Sequence, residues 1–353
     1  MELPLADQRL LVVRLSAVGD IVHTLPAAAA LAAAGARVVW AVQRGGRDLV
    51  QGNPAVASVV EIPRRRGLRN FLGGGGASGI SLAAARRALR DERCSVALDF
   101  QGLWKSAAWA RASGAARRIG FAASDRREPL SRLLLTELHP RPSAAVHVID
   151  KNLALLAALG LDEIGRRDFP LPPLDRASQR VETELAAMQL DRPVWLHPGG
   201  GWPSKLWPPE RYSELAGRLG RRGLPTLVTW GPGEEELAER VVAGAGGGAT
   251  KAFPATLLEL AALATRARLL VAADTGPLHL AAAVGTPLVA LFGPTDPARN
   301  GPFDPRDRVL RREPPCFPCH RRDCPRHAGV LREIPVDEVE RAVLERLEGA
   351  PKR

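Results

Sequence analysis

The sequence predicts an α/β protein built on parallel, doubly wound sheets, and three observations carry that reading. Short apolar runs of strand length alternate with longer Ala/Leu-rich segments along most of the chain. Runs such as Leu10–Val13 and Leu288–Phe292 show no inside-outside alternation, which suits strands covered on both faces. Glycine or proline punctuates the transitions, as at Gly35, Gly160 and Gly285. At 353 residues there is room for two domains, each with its own core.

In the first half, Arg9–Leu15 reads as a strand, Ser16–Asp20 as a tight turn and Ile21–Ala34 as a helix. Further strands are expected at Arg37–Val42, Val59–Ile62, Val96–Phe100 and Arg117–Phe121, with helices at Leu82–Arg90 and His147–Leu159. Between them, Pro63–Arg66 and Arg69 precede the glycine run Gly73–Gly76. This segment is either a solvated loop or a basic lid over an anionic substrate. The charged, proline-containing stretch after Gly160 reads as an interdomain linker.

The second half repeats the pattern. Strands are expected at Val194–His197, Thr226–Trp230, Lys251–Phe253, Leu269–Ala272 and Leu288–Phe292. Helices are expected at Pro209–Arg218, Glu234–Val242, Thr256–Ala264, Leu278–Val284 and Pro335–Leu347. The stretch Arg268–Asp296 organises this half as strand, turn, helix, strand and loop. Asp274 or Thr275 suits an N-cap, and Pro277 costs nothing in a first helical turn. Free N–H groups then point out of the strand's carboxyl end, where α/β folds bind anions. From spacing alone, an ordinary capped helix and a ligand site both satisfy the pattern.

Hydrophobic residues make up 46% and charged residues 25%, which excludes a disordered chain. The net charge of +11 favours anionic partners, although only five of the 49 cationic residues are lysines and the bias toward arginine dilutes that signal. No signal-peptide pattern opens the chain, and no apolar run is long enough to span a bilayer. A cytoplasmic protein is expected, either free or peripheral at a membrane surface. No G-x-G-x-x-G follows the first strand, against a dinucleotide oxidoreductase, and no zinc-finger, helix-turn-helix or RNA-binding signature accompanies the charge.

Several motifs in order resemble glycosyltransferase family 9, the ADP-heptose:lipopolysaccharide heptosyltransferases. They are Ser16–Pro26, Asp99–Ser106, Arg127–Leu130, His197–Gly199 with Lys205–Pro208, Trp230-Gly231 with Glu234 and Glu235, Asp274–His279 and Phe292–Asp296. The resemblance covers essentially the whole chain. It implies a GT-B architecture, two Rossmann-like domains facing across a cleft. The acceptor domain would be 1–165, the linker 166–190, the nucleotide-sugar domain 191–334, and 335–353 a helix crossing back toward the first domain. It further implies an inverting, metal-independent transfer with no cofactor. The donor would be ADP-heptose and the acceptor a lipid-linked phosphorylated sugar of the lipopolysaccharide inner core, at the cytoplasmic face of the inner membrane.

Inverting transfer needs a base for the acceptor hydroxyl and a means to stabilise the departing diphosphate. Asp20 sits at a helix N-terminus, which favours its ionised form; the resemblance makes it the general base, and without it Asp20 is a helix cap. Lys205 follows a glycine-rich turn, so an ammonium and backbone amides can converge on phosphate. Asp274, Thr275, Gly276 and His279 match the family's donor site, and Glu235, with Glu234 one position away, matches its ribose carboxylate. Arg64, Arg65, Arg66, Lys105 and Arg127 match regions the family turns toward its acidic acceptor, where arginine's fork suits phosphate and carboxylate. His23 and His197 read as structural.

Cys316, Cys319, Cys324 and His327 have zinc-ligand spacing, yet the loop is short and lacks hairpin signals, so free thiols are the competing reading. Zinc, if held, would be structural. Two function classes stand beside heptosyl transfer: a family 9 transferase with another donor or acceptor, and a non-catalytic anion- or nucleic-acid-binding protein of the same fold. Intact Asp20 and Lys205 argue against the latter.

Overall fold

The computed structural model describes residues 5–64, 79–319, 322 and 329–349. The chain divides into two compact units, Met1–Pro173 and Leu174–Arg353.

In the first unit, β1 (Arg9–Val13) lies between β2 (Arg37–Val42) and β4 (Val96–Asp99). With β3 (Ser58–Glu61), β5 (Arg117–Phe121) and β6 (Glu137–His139) they form a parallel sheet, six-stranded among the described residues, of order β3-β2-β1-β4-β5-β6. The chain thus leaves β1 in one direction and returns from β4 in the other, creating a crevice at their carboxyl ends. Burial is nearly complete along β1, β2 and β4, so their unbroken apolar runs match a sheet covered on both faces. Leu11, Val13, Val39, Ala41 and Ala97 form one face of its core with Leu89 of helix α3 (Leu82–Asp91).

The helix expected over Ile21–Ala34 is two: α1 (Val18–Val22) and α2 (Leu25–Ala33). Pro26 is the cause. It sits in the first turn of α2, where its missing N–H is harmless, but it cannot continue a helix begun at Val18. The break leaves α1 as one short turn directly beyond β1. Helix α4 (Trp104–Ala112) follows β4 in the same way, and α5 (Val148–Ala154) packs against α2.

The boundary between the units falls within the stretch expected as a linker, 166–190, and about half of that stretch is helix. In the second unit α6 (Asp175–Ala187) buries Val181 and Leu185 and packs against α9 (Leu257–Arg266), with Arg180 3.0 Å from Glu259. The second sheet comprises β7 (Val194–His197), β8 (Thr226–Val228), β9 (Thr250–Lys251), β10 (Leu269–Ala273), β11 (Leu288–Phe292) and β12 (Arg308–Arg311). Its order is β12-β11-β10-β7-β8-β9, parallel throughout, which is the first unit's winding repeated. The reversal point now lies between β7 and β10. Helices α7 (Pro209–Arg221), α8 (Glu235–Gly244), α10 (Gly276–Ala283) and the short α11 (Pro297–Asn300) complete the wrapping.

The resemblance sends the final helix, α12 (Val336–Glu348), toward the first domain. Its apolar residues Val336, Val339, Ala342 and Val343 lie in the second unit's own core. Arg346, 3% exposed, pairs with Asp307 at 3.0 Å, and Arg218 of α7 bonds Glu340 at 2.9 Å. Among the described residues no helix is long and apolar enough to cross a membrane.

Candidate active site

Each sheet carries a constellation at its reversal point. In the second unit, the chain leaves β7 through Pro198–Gly201 and makes a 3₁₀ turn at Pro203–Lys205. Lys205 Nζ lies 2.5 Å from Asp274 Oδ2 and 4.8 Å from the centroid of the Trp202 ring. Asp274 stands just after β10, one residue before Thr275, the N-cap of α10. Thr275 and Gly276 open that helix with Pro277 in its first turn, as expected from the sequence.

Asp274 is a hub. Its Oδ2 accepts from Lys205 Nζ and, at 2.7 Å, from Thr295 Oγ1; its Oδ1 accepts from Asn300 Nδ2 at 2.7 Å and lies 3.0 Å from His279 Nε2. Against a carboxylate that ring nitrogen donates. Burial alone would raise the Asp274 pKa, but the His279 hydrogen bond and the Lys205 charge hold it well below the usual carboxylate range. A carboxylate offers about four acceptor sites, and here four donors fill them. Asp274 therefore fixes its neighbours rather than taking up a proton itself. Thr295 and Asn300 escaped sequence reasoning as hub members. Their positions in and after the Phe292–Asp296 motif were the available signal.

The two adjacent glutamates take different partners. Glu235, the residue matched to the ribose, is in the first turn of α8 with its carboxylate 3.0 Å from Lys251. Glu234 precedes the helix and turns inward. Its Oε1 accepts from the Gly200 N–H and its Oε2 from the Gly231 N–H, each at 2.9 Å. It thereby staples the loop after β7 to the loop after β8. The glycines are needed: a Cβ on Gly199 would come 2.0 Å from Glu234 Oε2, and one on Gly200 2.9 Å from Thr275 Cγ2.

His197 is structural, as expected. Trp195 Nε1 can only donate, so Thr229 Oγ1 accepts from it at 2.6 Å, and the same hydroxyl lies 2.9 Å from His197 Nδ1 and shares a hydrogen bond with it. Burial holds the imidazole neutral, with its pKa lowered to about 4.

In the first unit Asp20 lies in the first turn of α1, at the carboxyl end of β1. Its Oδ2 accepts from the Ala17 N–H at 3.3 Å. Its Oδ1 accepts from Arg14 Nη2 at 3.2 Å, and Arg14 Nη1 donates to the Phe100 carbonyl at 2.6 Å. Gln101 Oε1 accepts from the Leu15 N–H at 3.0 Å, so the turns after β1 and β4 are tied side by side. Asp99 ends β4 and accepts from the Gln101 and Gly102 N–H groups, while burial pushes its carboxyl pKa up.

Lys105 projects from the first turn of α4, next to Trp104, whose N–H donates to Glu128 at 2.6 Å. Local desolvation and the nearby Arg64 charge hold the Lys105 pKa below the usual lysine value. Arg127 is exposed on the adjoining loop. Arg64, Lys105 and Arg127 thus belong to the described part of the unit, whereas Arg65 and Arg66 lie outside the described residues. Cys316 and Cys319 follow β12, and the Cys319 N–H bonds the Pro294 carbonyl at 2.7 Å. Cys324 and His327 lie outside the described residues, and among those described no three His, Cys, Asp or Glu residues gather as metal ligands.

Known proteins share this arrangement of chain and fold. Residues 82–328 match the model of glycosyltransferase family 9 (heptosyltransferase). The chain is 33% identical to lipopolysaccharide heptosyltransferase 1 of Pseudomonas aeruginosa, over 90% of this chain and 87% of that protein. It is 31% identical to the protein of the same name from Escherichia coli K12, over 86% and 93%. Among solved structures, E. coli heptosyltransferase WaaC with ADP-2-deoxy-2-fluoro heptose is 26% identical, covers 96% of this chain and 99% of its own, and has a TM-score of 0.74.

Proposed function

Since this chain belongs to glycosyltransferase family 9, we propose that it transfers a heptosyl group from ADP-heptose to a lipopolysaccharide inner-core acceptor, with inversion and without a metal. The observation that carries this reading is the presence, at each sheet's reversal point, of one half of the chemistry. The first unit offers a half-exposed carboxylate, Asp20, and the second a cation, Lys205, beside a helix N-terminus.

In the mechanism, Asp20 accepts the proton of the acceptor hydroxyl as its oxygen bonds to the anomeric carbon. The bond from that carbon to the diphosphate oxygen breaks, and ADP departs with the electron pair. Lys205 and the N–H groups at the start of α10 stabilise the charge that develops there. They supply the positive potential that a divalent ion provides in metal-dependent transferases. Arg64, Arg65, Arg66, Lys105 and Arg127 bind the phosphorylated acceptor, whose lipid anchor brings the enzyme to the cytoplasmic face of the inner membrane. Glu235 or Glu234 holds the ribose.

Thermal stability against a panel of nucleotide sugars tests the donor. A ligand at 100 times its dissociation constant stabilises the fold by about 2.7 kcal/mol. Selective stabilisation by ADP and ADP-heptose, followed by turnover on a Kdo-lipid A acceptor, is the expected result. Stabilisation by UDP- or GDP-sugars instead would replace the donor assignment.

A further inference from the structure

We propose that Arg14 is a positioning residue for Asp20: its guanidinium fixes both the turn that carries the base and the rotation of the base's carboxylate. This rests on the reading of Asp20 as the general base and adds the residue that makes Asp20 competent.

Arg14 lies one residue beyond β1, a strand whose other inward positions are Leu and Val, and it is only 5% exposed. Burying a guanidinium is costly unless its charge and its donors are satisfied. An aliphatic side chain would serve packing better at that place. What the arginine adds is a rigid fork of donors. Nε donates to the Asp20 backbone carbonyl at 3.2 Å, Nη2 to Asp20 Oδ1 at 3.2 Å, and Nη1 to the Phe100 carbonyl at 2.6 Å. One side chain thus holds the backbone and the carboxylate of the same residue and refers both to the end of β4.

The fork is itself anchored. The Arg14 N–H donates to the Ala41 carbonyl at 3.3 Å, and the Arg14 carbonyl accepts from Trp40 Nε1 at 3.1 Å. Asp20 remains reachable, with 34% of its side chain exposed against 6% for Arg14.

Other charged groups surround the pair. Asp99 lies at the end of β4 and carries the opposite charge to Arg14 when ionised. The 3₁₀ turn Arg44–Leu49 packed on α1 carries Arg44, Arg47 and Asp48, with Arg47 paired to Glu61 at 3.2 Å. His23 follows α1 and meets the His147 ring edge-on, beside Asp150 and Lys151 of α5. All of these stay unaltered in the variants below.

The full-length enzyme is assayed with ADP-heptose and a Kdo-lipid A acceptor, with kcat, both KM values and the pH profile of kcat/KM determined for Asp20→Asn, Arg14→Gln and Arg14→Lys. Arg14→Gln is expected to lower kcat about 100-fold, the loss that accompanies a misplaced reacting group, while KM for ADP-heptose stays within about twofold. A neighbouring cation favours the ionised carboxylate, so losing it moves the acidic limb of the profile to higher pH. Arg14→Lys keeps the charge without the fork. It should leave the acidic limb in place and lose less kcat than Arg14→Gln. If Asp20→Asn retains wild-type kcat, the base assignment itself fails. If Asp20→Asn is inactive while Arg14→Gln has wild-type kcat and an unmoved acidic limb, the positioning role alone is overturned. Should Arg14→Gln not fold, Arg14→Lys decides: reduced kcat with an unmoved limb supports the role, and wild-type kcat overturns it.

Discussion

Each reversal point holds a cation–carboxylate pair, and the buried and open members are exchanged between them. In the first unit the cation is buried, with Arg14 at 6% side-chain exposure, and the carboxylate of Asp20 is open at 34%. In the second the carboxylate of Asp274 is buried at 4%, and the Lys205 ammonium is the more open partner at 16%. A buried charge needs a partner, and the partner that stays near the surface is the one a substrate can meet. The same winding therefore leaves a carboxylate open in one unit and an ammonium in the other. The hidden member is in each case fully engaged by its neighbours. Arg14 is held by two carbonyls and a carboxylate, and Asp274 by four donors.

If the open members carry the chemistry, the largest loss should come from Asp20. Asp20→Asn preserves shape but cannot take the proton, so kcat should fall by about 10³-fold or more, with ADP affinity unchanged in calorimetry. Activity within tenfold of wild type would remove the contrast between the units. Lys205→Ala comes next. A single preorganised charge facing the leaving group is worth about 10²- to 10³-fold, and here the stabilisation by ADP should shrink as well. An unaltered ADP response in this variant would mean that Lys205 serves only to neutralise Asp274.

Acid should expose a weakness of the second unit's histidine network. The His197 pKa is lowered to about 4 from an unfolded value of 6.5. Between those values the unfolded chain binds more protons than the folded one, so stability rises with pH and is lost as pH falls from about 6.5 to 4. The full effect is about 3 kcal/mol. Asp274, whose pKa is depressed, behaves as an ordinary native carboxylate: its contribution is intact above the unfolded carboxylate pKa of about 3.9 and fades below it. Urea unfolding at pH 6.5 and 4.5 separates the two. His197→Asn should flatten the difference between these pH values; an unchanged difference would place the acid-sensitive group elsewhere.

Much of this is legible in the sequence because parallel strands buried on both faces write continuous apolar runs, and turn residues mark where they end. Asp20, Lys205 and Asp274 stand at or just after such turns, and His279 lies one turn into the helix that follows Asp274. What the sequence conceals is set by tertiary contact. Arg14 looks like one more arginine in an arginine-rich chain until the Phe100 carbonyl and Asp20 are brought around it. Glu234 and Glu235 are adjacent acids at a helix start, and only the packing of two glycine loops decides that Glu234 turns inward. The edge strands β6 and β12 are short and charged, features that blunt a sheet edge and also erase the strand signal. Helix α6 reads as linker because its few buried residues, Val181 and Leu185, are spaced among charges.

The smallest effect sharpens the comparison at the loops themselves. The first unit ties its two turns with Gln101 and Arg14, whereas the second uses the Glu234 carboxylate between Gly200 and Gly231. Gly199→Ala would drive a methyl group into that carboxylate, at 2.0 Å from Oε2 and 2.6 Å from Cδ. Relief requires Glu234 to rotate away and surrender both amide hydrogen bonds. Overpacking of this kind costs about 1–3 kcal/mol, so we expect a drop of that size in unfolding free energy together with weaker ADP binding. Glu234→Ala removes the obstacle along with the staple. If the clash is the cause, adding Gly199→Ala to Glu234→Ala should cost much less than it does in the wild type, because the two changes share one contact. Additive losses would mean that the glycine answers to the backbone path of the loop rather than to the carboxylate, and that the second unit's glycine loop is shaped without its staple.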